Sequence, residues 1–339
     1  MKLIRLMLIS ACLLPLASQQ LLSQAGSQFG PGARVLADAH NCYPYNGRWN
    51  DRIERALSTG FPIAIEQDLA LYTDPRTGMT RVVVAHDLKS ITGAEPTLRE
   101  HFFERIKPVM EEALRRPSHS QWPLITLNLD FKSNDPALIV AVRELLKEYR
   151  PWLTTAVRGE KISDQKPVNV GPLLVVTGTS DVQQRIFYDE LPVGSDLLVF
   201  GAVHVNGANP MAAPEVLVSV PANNYRRWWN NPWSVVEDGG QRKAGEWTET
   251  SNTRLRALVQ HSHQLGYWIR FYTLDGGSKE QFQQNGWFEN YNFGSLQAAE
   301  IRWKAAKEAG VDFIASDQYE TLATLVRGHV NSPVLKPGK

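Results

Sequence analysis

The feature that most limits the folds open to this chain is a repeated alternation of short strand-like runs with helical ones. Residues 34–40 (RVLADAH) read as a first strand, and 50–59 as a short helix with Ile53, Ala56 and Leu57 on one face and Gly60 as its stop. Residues 63–71 (IAIEQDLAL) form a second strand. A turn through Asp74, Pro75 and Gly78 leads into 81–86 (RVVVAH), which is expected to pair with it as a hairpin. Residues 124–131 (LITLNLDF) precede a helix opened by Ser133-Asn134-Asp135-Pro136, with Leu138, Val142, Leu145 and Leu146 as its apolar stripe. Further strands are predicted at 173–177, 196–201, 216–220, 267–274 and 311–316. Helices are predicted at 252–265 and 296–309, ending at Gly266 and Gly310. Eight strands besides the hairpin partner fit an α/β fold of the (β/α)8 TIM-barrel type. A doubly wound sheet would call for a glycine-rich phosphate loop after the first strand, and none is present.

At 339 residues and 43% hydrophobic, the chain can bury one large barrel core. A net charge of +1 gives no electrostatic footprint for nucleic acid. Two cysteines cannot build a disulfide framework or a zinc ribbon. Lys2 and Arg5 followed by the apolar run 6–17 resemble an export signal, too short to span a bilayer. The expected organisation is a signal peptide and start of a linker (1–24), linker (25–33), a single barrel domain (34–330) and a C-terminal tail (331–339). The expected location is secreted or periplasmic. Ile9-Ser10-Ala11-Cys12 also resembles a lipoprotein box, which makes anchoring at Cys12 the alternative.

Polar residues crowd the C-terminal ends of the predicted strands, where a barrel gathers side chains at one mouth. His40 ends the first strand and His86 ends the hairpin partner. Glu66 and Asp68, two apart, share a face, as do Asn128, Asp130 and Lys132, and later Arg270 and Tyr272. Asp317 closes the last strand. Three carboxylates, Glu66, Asp68 and Asp130, repel one another in an apolar barrel unless a cation joins them. Oxygen donors of this kind suit a hard divalent ion, Mg²⁺ or Ca²⁺. Two histidines beside the ion suit general acid and base roles, and Lys132 suits charge developing on a phosphoryl oxygen. Together these groups point to phosphodiester chemistry.

In the same residues the chain resembles the glycerophosphodiester phosphodiesterase and phosphatidylinositol-specific phospholipase C-like barrels. The resemblance rests on Ala39-His40-Asn41, Ile65-Glu66-Gln67-Asp68, Val84-Ala85-His86-Asp87, Leu129-Asp130-Phe131-Lys132, and the closing Gly310-Val311-Asp312 through Ser316-Asp317. It implies His40 and His86 as the acid/base pair, Lys132 as the family's lysine, and Glu66, Asp68 and Asp130 as metal ligands. The chain departs from glycerophosphodiesterases after the first histidine, where Arg-Gly is replaced by Asn41-Cys42-Tyr43. An H-N-x-Y start is similar to divergent bacterial and fungal members, as is Arg270-Phe271-Tyr272. Asn41, Arg270 and Tyr272 are accordingly expected to contact substrate.

The aromatic stretch 225–233 (YRRWWNNPW) is expected in a loop at the mouth, with Trp228 and Trp229 gripping the substrate or touching a lipid surface, or else packing as a lid without specific contact. Trp287, Phe288, Tyr291 and Phe293 raise the same expectation after the seventh strand. His261 and His263 read as surface residues and Cys42 as a bystander thiol. The expected partner is a small-molecule or lipid phosphodiester, with transient membrane-surface contact and no obligate protein partner. The alternatives are a sphingomyelinase D-like phospholipase or lyase, a phosphomonoesterase in the same pocket, and a binding barrel without turnover.

Overall fold

The computed structural model describes residues 29–328 apart from Ala208; the predicted signal peptide, Cys12 and the tail from 331 lie outside the described residues. Eight parallel strands close into a barrel: β1 (Leu36–Ala39), β2 (Ile63–Thr73), β3 (Ile125–Phe131), β4 (Leu173–Thr177), β5 (Phe200–Ala202), β6 (Arg226–Pro232), β7 (Trp268–Tyr272) and β8 (Phe313–Ser316). Closure is made by β1, which pairs with β8 from Leu36↔Phe313 to Ala39↔Ser316 and with β2 at Asp38↔Ala64. This is the (β/α)8 TIM barrel expected from the alternation.

Local chemistry sets the helix ends. Helix Pro136–Glu148 begins with proline in its first turn, and the Asp135 side chain accepts from the Ala137 amide. Helix Leu296–Ala309 is capped by Ser295 and stops at Gly310, whose φ of 83° suits glycine. The β2 overhang pairs antiparallel with Thr80–Val84, so the hairpin rises from the C-terminal rim and carries His86 at its base. The lower barrel is filled by Leu36, Phe200, Trp228, Trp268 and Phe313, all buried and each contributing roughly 2–3 kcal/mol by leaving water. Phe29 packs against Trp268, whose indole N–H donates to the Phe29 carbonyl at 3.0 Å.

The sixth strand differs from expectation. Residues 216–220 are not a strand: Pro214–Leu217 is a helical turn, and Val216 and Val220 are exposed. The aromatic stretch expected in a loop is β6 itself. Its bulky residues suit a strand buried on both faces, and its charges are absorbed by backbone carbonyls. Arg226 donates to Ala202 O (2.6 Å) and Thr179 O (3.0 Å), and Arg227 to Lys166 O (2.7 Å). Trp228 donates to Thr177 O at 2.8 Å, and Trp229 is buried in the layer that also holds Leu258 and Trp303 of the helices outside the barrel. Both indoles are shut off from solvent, which removes Trp228 and Trp229 from the expected substrate contacts. The stretch 196–201 also divides: Asp196–Leu197 joins a small antiparallel sheet, and only Phe200–Ala202 enters the barrel. His261 and His263 are half-buried anchors rather than surface residues, at 2.7 Å from Val218 O and 2.9 Å from Asp312 Oδ2.

Candidate active site

Because side chains alternate along a strand, Asp38 and His40, Glu66 and Asp68, Asn128 and Asp130, Asn230, and Arg270 and Tyr272 stand on the inward side at the C-terminal mouth. The structure brings His40, Glu66, Asp68, His86, Asp130 and Lys132 to this one rim. His40 is buried, with Nδ1 3.0 Å from Asp317 Oδ1 and Nε2 3.8 Å from Glu66 Oε1. Burial opposes charge on this imidazole, but Glu66 and Asp317 outweigh it and hold its pKa up at about 9. His86 is about one-third exposed (32%), with Nδ1 2.6 Å from Asp68 Oδ2. Each imidazole thus has a carboxylate behind its Nδ1 and turns Nε2 elsewhere.

Glu66, Asp68 and Asp130 each offer an oxygen within 4.8 Å of the others. Two oxygens bound to one Ca²⁺ at about 2.3–2.6 Å lie at most roughly 5 Å apart, so the spacing admits a divalent ion. Asp68 Oδ1 strengthens the fit, being buried and without a hydrogen-bond partner among the described residues. Its Oδ2 already receives His86 and Lys132. Burial pushes the Asp68 carboxyl up to about 6, against the pull of those two neighbours. Lys132 spans two of the acids, with Nζ 2.8 Å from Asp68 Oδ2 and 2.7 Å from Asp130 Oδ2. Despite its burial, these carboxylates hold the ammonium above its ordinary range.

Arg270 is where the site departs most from expectation. It is fully enclosed and spent on protein partners: Nε meets Asp38 Oδ2 (2.5 Å), Nη2 meets Glu66 Oε2 (2.5 Å) and Nη1 meets Asn230 Oδ1 (3.1 Å). It braces Glu66 from inside the closed barrel, which makes it a support and not the expected substrate contact. Asn41 is likewise buried, its Nδ2 donating to Asp317 Oδ1 at 2.9 Å, so it too is a support and not a substrate contact. Tyr272 remains half-buried at the mouth, stacked 6.2 Å from the His40 ring. Cys42 is buried and its thiol is pushed up to about 12, which leaves it inert. His204 lies exposed against Asp181 at 2.8 Å, away from these groups.

Several supporting residues escaped the sequence reading. Arg52, from helix Arg52–Ser58, is fully buried and clamps Asp317 (Nη2–Oδ2 2.9 Å) and the Asn41 carbonyl (2.8 Å). Asp275 receives the Ser316 hydroxyl at 2.6 Å and the Asp317 amide at 2.7 Å. His40, Asp275 and Asp317 also lie close enough to form a ligand set. His40 Nδ1, both Asp317 oxygens and Asp275 Oδ1 are already engaged, while Asp275 Oδ2 is buried without a partner among the described residues; the contacts that are made fix His40. Asp38 carried a usable signal, two residues before His40 on the same face. Arg52 carried none, because a helical arginine ordinarily faces water.

Half-buried aromatics fence the two imidazoles. Tyr291 lies 5.4 Å from the His40 ring, Phe288 5.5 Å and Tyr45 5.8 Å from His86, and Phe288 touches both Tyr45 and Tyr291. The indole N–H of Trp49 donates to Asn285 O at 2.8 Å, tying the loop after β1 to the one after β7.

No family model and no curated protein matches the sequence. Among solved structures, a glycerophosphoryl diester phosphodiesterase from Parabacteroides distasonis is similar over 94% of each chain at 13% identity, with a TM-score of 0.45. An endoglucanase is similar over 91% of this chain and 99% of its own at 12% identity and 0.45. An HPPK-DHPS of Plasmodium falciparum covers 87% of this chain with 47% of its own length at 9% identity and 0.42. Likeness at this level carries no argument about activity, and the barrel assignment stands on the pairing of this chain's own strands.

Proposed function

We propose that this protein is a phosphodiesterase that cleaves a glycerophosphodiester or phospholipid-like diester with His40 and His86 as its acid and base. The observation that carries the reading is the pairing of two histidines, each backed by a buried carboxylate, with a three-carboxylate group and a lysine on one rim. In this reading His86 Nε2 takes the proton of the attacking oxygen, from water or a neighbouring substrate hydroxyl, as that oxygen bonds to phosphorus. The bond to the leaving oxygen breaks, and His40 gives that oxygen its Nε2 proton. His40 suits the acid role because carboxylates flank it on both nitrogens, whereas His86 has one on Nδ1 only. Asp317 and Asp68 hold the rings in orientation. A divalent ion held by Glu66, Asp68 and Asp130 would neutralise the phosphoryl oxygens when bound. Tyr272, Tyr291 and Phe288 form the wall available to the leaving group. We take the enzyme to act outside the cytoplasm, on the strength of its signal-like first residues.

The test is release of nitrophenol from bis(p-nitrophenyl) phosphate with and without a chelator. Release without chelator only would support the metal-assisted reading, and release in neither tube would leave a binding barrel. A second reading has an observation of its own: Lys132 and Arg270 already neutralise the acids, as a lysine-assisted, metal-independent diesterase requires. Equal release in both tubes favours it. Phosphorus NMR on a phospholipid separates direct hydrolysis from a cyclic phosphate product.

A further inference from the structure

We propose that Asn41 and Tyr43 act as one positioning unit that carries hydrogen-bond direction from Asp317, behind one imidazole, to His86, and so fixes the tautomer of the second imidazole; the proposal rests on the acid/base reading above. The chain of contacts is continuous. Asp317, ionised and clamped by Arg52, only accepts hydrogen bonds. Asn41 must therefore turn its amide nitrogen to Asp317 Oδ1 (2.9 Å) and its carbonyl oxygen away. That carbonyl oxygen accepts the Tyr43 hydroxyl at 2.6 Å. A phenol has one proton, so what Tyr43 Oη presents to His86 Nδ1, 3.1 Å away, is a lone pair. Nδ1 must then carry hydrogen, shared with Asp68 Oδ2 at 2.6 Å, and in that tautomer Nε2 is left bare for the attacking group.

The backbone is shaped to this end. Asn41 has a φ of 51°, a left-handed conformation that asparagine tolerates better than most residues, and Asn41 and Tyr43 are both buried. The Tyr43 ring also stacks on His86, with centroids 5.6 Å apart and planes 9° from parallel. The hydroxyl can therefore be removed while the packing stays. The unit coincides with the H-N-x-Y segment in which the sequence leaves the usual glycerophosphodiesterase pattern.

Two variants and their combination test this in the full-length protein. Tyr43→Phe removes the acceptor and keeps the ring. We expect kcat on bis(p-nitrophenyl) phosphate to fall about tenfold with KM within about twofold, as fits one lost hydrogen bond. The ¹⁵N spectrum of His86 should shift from the Nδ1–H tautomer toward a mixture. Asn41→Gly suits the left-handed backbone and frees the Tyr43 proton to point at His86 Nδ1, which stabilises the wrong tautomer. Its loss should exceed that of Tyr43→Phe, and adding Tyr43→Phe to it should restore activity toward the single Tyr43→Phe level. Losses that simply multiply, or a His86 tautomer identical in all three variants, would overturn the proposal. A wild-type protein that cleaves no diester would end the diesterase reading, while the tautomer spectra would still decide the role of Asn41 and Tyr43.

Discussion

Arg270 Nη2 meets Glu66 Oε2 at 2.5 Å, and both side chains are buried. The same guanidinium holds Asp38, whose carboxyl burial pushes upward even with the arginine beside it. Removing the arginine leaves two buried carboxylates without their cation. Breaking a buried pair in this way costs about 3–5 kcal/mol, far more than the intact pair contributes on balance. Arg270→Met should therefore lower unfolding free energy by about that amount in urea titration. A loss below about 1 kcal/mol would mean that solvent or a neighbour already satisfies the acids.

Lys132 and a divalent ion compete for the same carboxylates. The ammonium bridges Asp68 and Asp130, two of the three acids that fit a cation. An ion that enters must weaken one of those contacts or share the oxygens with a like charge. Lys132→Met should raise Ca²⁺ or Mg²⁺ affinity in calorimetry, by about tenfold for some 1.4 kcal/mol of relieved competition. Asp68→Ala should lower it. Unchanged affinity in the lysine variant would show that ion and ammonium occupy separate places.

His40 and His86 can be told apart by leaving group. A nitrophenolate departs without help, whereas an alkoxide needs a proton. His40→Ala should cost less than about tenfold on bis(p-nitrophenyl) phosphate and about 10²-fold or more on an alkyl diester such as a glycerophosphodiester, within the usual range for general acids. His86→Ala should cost about 10²-fold or more on both. The opposite pattern would exchange the two roles.

How far the sequence spoke follows from its periodicity. In Ile63–Thr73 and Ile125–Phe131, side chains two apart share a face, so Glu66, Asp68 and Asp130 could be gathered from spacing alone. His40 and His86 were legible as polar strand ends. The use to which Arg270 is put was not legible, because whether an inward arginine meets substrate or a buried acid depends on strands far away in sequence. Strand β6 was hidden behind residues 216–220, whose apolar run reads as the sixth strand and so puts the next stretch in a loop; its Arg226 and Arg227 are tolerated in a buried strand only because carbonyls of Ala202, Thr179 and Lys166 take their donors. The Asn41–Tyr43 link lay in the sequence as a departure from pattern, but its meaning needed the direction of each hydrogen bond.

His101 gives the fold a sensitivity to acid that is separate from the site chemistry. It is buried, its Nδ1 lies 2.6 Å from Gln67 Oε1, and its Nε2 has no partner among the described residues, which suits only the neutral ring with hydrogen on Nδ1. Burial lowers its pKa to about 4, against 6.5 for the exposed group. The unfolded chain therefore takes up a proton near pH 6.5 that the folded chain refuses until about pH 4. The stability tied to this residue is full above pH 6.5 and is lost as pH falls through about 4, a total on the order of 3 kcal/mol. Thermal unfolding of the wild-type protein should weaken across that window, and His101→Phe, which cannot take a proton, should flatten this part of the acid limb. An acid limb equally steep in wild type and His101→Phe would assign the loss to other groups.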